Sequence, residues 1–187
     1  MRKILVLILL FSFKNLISQE TKCLNSDFYN PNSEIVRIKN TSESIEKIIQ
    51  SKLRIDSLKL YILKNTYVEF PKWSGYRRKG IDSGFKIILL NSSTNDFEFL
   101  IKGNKIDIKR QVFYKNEWKN LTPLKKSTIM ICGTGYFKKG IIKTKDFFTF
   151  LAPCIEGELK VKSRFVFGNT IYSNEFEGLI DERFIEK

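Results

Sequence analysis

The sequence predicts an all-β chain, a sandwich or barrel of antiparallel strands behind a leader. Three observations predict it. Apolar residues alternate with polar ones at period two in many short segments. Gly, Asn, Asp and Ser punctuate those segments every ~8–12 residues. The chain also carries 16 Phe, 7 Tyr and 2 Trp, enough apolar area to fill the space between two sheets.

The leader comes first. Met1-Arg2-Lys3 is positive, and Ile4 to Phe13 is apolar but for one Ser. A run of that length suits the ~7–15-residue core of a signal peptide. A membrane-crossing helix needs ~20 apolar residues, and Lys14 and Asn15 interrupt too early. The small residue Ser18 places the cut before Gln19, although Leu16 is large for its position. The competing readings are a buried terminal element and an uncleaved anchor. Cys23 follows Glu20-Thr21-Lys22, charged neighbours that argue against lipid attachment.

Residues 1–18 are thus expected to be a signal peptide and 19–33 a loose polar lead-in. Residues 34–187 are expected to form one β-sandwich domain, most compact over 85–184. A subdivision near 70–85 is the alternative. The mature chain should be exported, periplasmic or extracellular, with no stable membrane span.

The strands follow in order. Glu34–Lys39 alternates. Ser42–Leu53 fits a helix capped by Ser42, with Ile45, Ile48 and Ile49 on one face, or a strand; the neighbours favour strand. Leu58–Leu63 is a strand, and Pro71–Gly84 a long basic loop. Phe85–Leu90 runs into a polar turn at 91–96. Phe97, Phe99 and Ile101 alternate up to the turn Gly103-Asn104. Ile106–Tyr114 leads to a hairpin tip at Lys115-Asn116. Thr128–Cys132 reads as a central strand, and Ile141–Ile142 and Phe147–Leu151 as short ones. Leu159, Val161, Phe165 and Phe167 alternate with Lys160, Lys162 and Arg164, the cleanest pattern in the chain. Gly168-Asn169 turns it, and Thr170–Phe176 returns.

The formal charge is +13, and removing Arg2, Lys3 and Lys14 with the leader lowers it to +10. Such a surface attracts acidic glycans, phospholipid headgroups or nucleic acid. The basic residues are dispersed, however. Arg77-Arg78-Lys79, Lys125-Lys126 and Lys138-Lys139 are the densest groups, and dispersed Lys also serves to solvate strands and blunt sheet edges.

There are three Cys and no His. Outside the cytoplasm two cysteines should pair. Cys132–Cys154, in the most structured stretch, is the favoured disulfide, with Cys23 left over. The alternative joins Cys23 to one of the others. The absence of His removes Ser-His-Asp and Cys-His machinery and the commonest zinc ligand. Three thiols are too few for a Cys-only zinc site. No metal and no cofactor is expected. Gly133-Thr134-Gly135 lacks the third glycine of a dinucleotide loop and reads as a turn.

Two i, i+2 carboxylate pairs, Glu156/Glu158 and Glu175/Glu177, could serve a glycosidase, though strand-edge solvation explains them equally well. Asp107, Asp146 and Asp181 are scattered, without the alternation of a calcium loop. Asn40, Asn91 and Asn120 open glycosylation sequons of little weight.

The best binding candidate is the loop with Trp73, Tyr76, Arg77, Arg78 and Lys79. Its rings can stack on sugars or bases while its cations meet an anion. The plainer reading is that Trp73 plugs the core while the Arg side chains are solvated.

Trp118, Cys132-Gly133-x-x-Tyr136, Pro153, Gly157, Arg164 and Tyr172-Ser173-Asn174-Glu175-Phe176-x-Gly178 form a wider pattern. It resembles that of small exported bacterial proteins with an immunoglobulin-like or fibronectin-like sandwich and no assigned function. It covers residues 85–184. Cys154 stands where that pattern has another residue, so the 132–154 bridge belongs either to the group or to this member alone. The resemblance implies an immunoglobulin-like antiparallel β-sandwich and no activity, because that fold hosts many. The expected function is a non-enzymatic binding module, with Trp118, Cys132 and Tyr136 as structural residues. Its expected partner is an envelope protein, an acidic glycan or a membrane surface. The rival functions are a carboxylate-based polysaccharide hydrolase and an anion binder acting through residues 73–79.

Overall fold

The computed structural model describes Cys23 and residues 36–38, 57–78, 80–102, 106–122 and 137–186. The leader, the ambiguous segment 42–53, the turn at 103–104, Lys79 and the segment holding Cys132, Gly133 and Tyr136 lie outside the described residues.

The described chain is mostly antiparallel β-sheet. Its strands are β1 (Val36–Ile38), β2 (Leu58–Glu69), β3 (Ser83–Asn91), β4 (Phe97–Lys102), β5 (Ile108–Tyr114), β6 (Glu117–Asn120), β7 (Phe137–Ile142), β8 (Phe147–Pro153), β9 (Leu159–Phe167), β10 (Ile171–Tyr172) and β11 (Phe176–Ile180). One helical turn, α1 (Gly75–Arg78), lies between β2 and β3, and a 3-10 turn (Glu182–Phe184) follows β11.

The first sheet has the order β1-β8-β3-β2. The second has the order β10-β9-β5-β6, with β11 also pairing with β9. β4 and β7 form a separate ribbon. Leu60, Ile62, Phe85, Ile87 and Leu89 of the first sheet pack in one cluster with Ile108, Phe165 and Phe167 of the second. The ribbon closes against the same cluster. Phe99 meets Phe148 of the first sheet at 5.9 Å and Phe167 of the second at 5.8 Å, both edge to face.

Local rules explain the elements. In β9 the period-two pattern buries Val161, Ser163, Phe165 and Phe167 and leaves Lys160 and Lys162 exposed. The β5–β6 hairpin turns on Lys115 and Asn116, with φ of 50° and 65°, as a two-residue turn between twisted strands requires. Gly168 and Asn169 turn β9 into β10 with φ of 57° and 64°. β3 lies between β8 and β2 and is buried on both faces, with Ile87 and Leu89 in the main cluster and Ile88 and Leu90 in another.

Two expectations are corrected. β2 does not stop at Leu63: its pairing with β3 resumes at Tyr67 after a register shift and runs to Glu69. The favoured disulfide is also wrong, because Cys154 is bonded to Cys23. Cys154 ends the run after β8 and is 3% exposed, within the main cluster, and Cys23 packs against that cluster. A residue 131 positions away thus reaches the thiol that spacing assigned to Cys132. Cys23 is thereby fastened to the end of β8.

Arg110 is 4% exposed in β5, between the rings of Phe176 (5.2 Å) and Phe85 (5.9 Å), and donates to Ser163 Oγ at 3.3 Å. A Cβ on Gly178 would lie 2.6 Å from its Nη2, so the guanidinium would have to shift to admit one.

Candidate functional site

The loop between β2 and β3 is built on Phe70. Its N–H donates to Asp82 O at 2.8 Å and closes the loop at its base. Ser74 N donates to Pro71 O at 2.8 Å, forming a tight turn. Ser74, itself buried, then accepts from Tyr76 N at 3.2 Å through Oγ, as a helix cap does. Ile81 N returns to Tyr76 O at 3.1 Å, with Gly80 at φ 77° making the reversal. The turn is therefore fixed from below, and what it carries at its tip is held out in water.

The tip carries Trp73, which is 67% exposed. The plainer reading of this residue is overturned: Trp73 does not plug the core. Tyr76 does, at 4% exposure and 4.9 Å from the Phe70 ring, and it leaves the candidate binding set for that reason. The helical turn sends the ring three positions after Trp73 inward. Arg77 is engaged at the loop's flank, 2.9 Å from Asp82 Oδ1 and 3.6 Å from Glu69 Oε2. Arg78 is exposed, as is Lys72 beside Trp73. Of the five loop residues singled out, Trp73 and Arg78 thus face solvent, Arg77 is partly occupied, Tyr76 is core, and Lys79 lies outside the described residues.

A second surface was missed as a site. Arg164 projects from the outer face of β9 between two rings, 4.0 Å from the centroid of Trp118 on β6 and 4.0 Å from that of Tyr172 on β10. Its Nε donates to Gln111 Oε1 at 2.9 Å, and Gln111 Nε2 donates to Asn120 Oδ1 at 3.1 Å. Phe113 meets Trp118 edge-on at 5.4 Å. Burial draws the Arg164 pKa below the usual arginine value, opposed by Tyr172 and Glu175; an arginine still keeps its charge. The residues of this stack come from three strands, so only tertiary pairing brings them together.

The acid pairs separate. Glu156 and Glu158 border an open groove of about 800 Å³ that also has Asp181, Glu182 and Arg183 on its rim. Hydrogen bonds from Arg183 hold the Asp181 carboxyl below its usual range. Tyr114 Oη donates to Glu182. Glu175 and Glu177 instead meet Lys162 (3.9 Å) and Lys160 (2.7 Å) at the surface. Of the sequon residues, Asn91 is 1% exposed and spends its amide on the carbonyls of Asn95, Ile142 and Lys143, so it offers no attachment point. Among the described residues no group of three or more acidic or Cys side chains is placed to hold a metal ion. No helix among them is long and apolar enough to cross a membrane.

No protein-family model matches the chain, and neither a curated protein nor a solved structure matches it.

Proposed function

We propose that this protein is an exported, non-enzymatic binding module with an immunoglobulin-like sandwich, and that it grips an acidic glycan with the turn carrying Trp73. The observation that carries the reading is the 67% exposure of Trp73 on a turn anchored by the Ser74, Tyr76 and Ile81 hydrogen bonds. An indole held in water by a rigid support stacks on a sugar face with little ordering cost. Lys72 and Arg78 supply the charge for an acidic polymer. A membrane would call for several apolar side chains at the tip, and Lys72 and the buried Ser74 flank Trp73 instead. The Cys23–Cys154 bond supports the compartment, since such bonds persist in oxidising surroundings. A cut after Ser18 leaves Cys23 near the new terminus, where the bond would hold it.

The test is calorimetric titration of the mature protein with polygalacturonate at two salt concentrations. Saturable binding that weakens with salt is expected, and Trp73→Ala should lower affinity by about tenfold, the scale of one lost stacking contact. Equal affinity of Trp73→Ala, or capture by anionic lipid vesicles without glycan binding, would overturn the reading.

A second reading has one observation behind it. The groove gathers Glu156 and Glu158 with Asp181 and Glu182, as a polysaccharide hydrolase would need. Release of reducing ends from polygalacturonate, abolished by Glu156→Gln or Glu158→Gln, would establish it. No release by the wild type would dismiss it for this polymer.

A further inference from the structure

We infer that Arg164 is a preformed receptor for the carboxylate of an acidic sugar, at a site separate from the Trp73 turn. Both faces of its guanidinium are covered, by Trp118 and by Tyr172, each at 4.0 Å. Its rotation in the plane is stopped by Nε, which donates to Gln111 at 2.9 Å. Gln111 is held by Asn120 at 3.1 Å, and Asn120 donates to Glu186 at 3.3 Å. Tyr172 is held as well, its hydroxyl donating to Asn169 O at 3.1 Å. The head group of Arg164 is thus immobile before any ligand arrives.

What remains is the terminal edge. Among the described residues, Arg164 donates only through Nε, which leaves Nη1 and Nη2 without a protein acceptor. Glu175 is the acid whose charge it feels, but that carboxylate lies 3.9 Å from Lys162 Nζ and makes no ion pair with Arg164 within 4.0 Å. Two parallel N–H groups in one plane match the two oxygens of a carboxylate. An arginine normally loses much rotamer freedom on gripping an anion, and here that freedom is already gone.

The rim specifies the rest of the ligand. Tyr172 is 47% and Phe113 39% exposed beside the stack, so each offers apolar surface to a pyranose ring. The nearby cations are partly answered: Lys109 faces Asp107 at 3.4 Å and Asn169 at 3.2 Å, and Lys162 faces Glu175. A single carboxylate on a sugar ring fits this surface better than a densely charged polyanion. The ligand class is therefore a uronic acid.

The experiment uses the mature Trp73→Ala protein, in which Trp118 is the remaining tryptophan and the stacking ring of the other proposed site is gone. D-glucuronate, D-glucose and inorganic phosphate are titrated separately while Trp118 emission is followed. A saturable change with glucuronate, absent with glucose and at least tenfold weaker with phosphate, is expected. Arg164→Lys keeps the charge but loses the fork, and Gln111→Leu frees its orientation; each should weaken glucuronate by about tenfold. Thermal unfolding of both variants is run alongside, and whichever retains a cooperative transition is read. No saturable response to glucuronate, equal binding of glucose or phosphate, or undiminished affinity in a folded variant would overturn the assignment. Loss of the Trp73 function would leave this result untouched.

Discussion

Asn174 pairs with Ile62 as though its side chain were a strand residue. Its Oδ1 accepts from Ile62 N at 2.9 Å, and its Nδ2 donates to Ile62 O at 3.1 Å. β10 and β11 share the same partner strand, β9, and Asn174 lies in the break between them. Ser173 keeps the ladder through that break, exchanging bonds with the Phe165 backbone at 2.9 Å. Asn174 can then turn to β2 and join the second sheet to the edge of the first. Asn174→Ala removes both bonds and leaves a part-buried N–H and C=O without them. A loss of about 2–3 kcal/mol is expected from urea unfolding. Asn174→Asp keeps the acceptor, sets a carboxylate against a carbonyl, and should recover none of it.

The disulfide closes most of the chain into one loop. With a separation of 131 residues, the chain-entropy relation gives about 5 kcal/mol, and native bonds typically deliver roughly 2–5. Cys23→Ser should therefore lower stability by that amount and make the protein insensitive to dithiothreitol. An unchanged urea midpoint would mean that Cys154 is bonded elsewhere.

Gly157 runs directly over the end of β11. A Cβ there would stand 2.0 Å from Ile180 C and 2.3 Å from Asp181 N, both backbone atoms that cannot swing aside. Gly157→Ala should cost about 3 kcal/mol or more. The same substitution at Gly168 meets no atom within 4 Å but sits at φ 57°. It should cost only the smaller conformational penalty of about 1 kcal/mol.

Lys86 is 7% exposed on β3, and burial lowers its pKa. Its folded pKa lies below the unfolded value of about 10.4, so its charge opposes folding at neutral pH. That opposition fades as pH rises through the folded pKa toward the unfolded one. Lys86→Met should raise stability at pH 7 by about 1 kcal/mol. The advantage should shrink as pH approaches 10, as paired urea titrations would show.

Much of the sheet was legible because strand alternation is local. Val161, Phe165 and Phe167 point inward as their spacing predicts, and Lys115-Asn116 turns as its residue types predict. What was not legible depends on contacts between distant segments. Cys23 and Cys132 are chemically equal suitors of Cys154 until the sheet places one of them. Trp73 and Tyr76 are two aromatics three positions apart, and only the helical turn decides which is buried. Arg164 looks like one more solvated strand cation until β6 and β10 bring Trp118 and Tyr172 to its faces.

Whether Trp73 is the contact surface can be read from Trp73 itself. In the Trp118→Phe protein, its emission should be that of a water-exposed indole, freely quenched by acrylamide. Polygalacturonate should shift that emission to the blue and protect it from quenching, with the protection lost at high salt. An emission already blue and shielded without ligand, or one that polygalacturonate leaves unchanged, would contradict the proposed role of the turn.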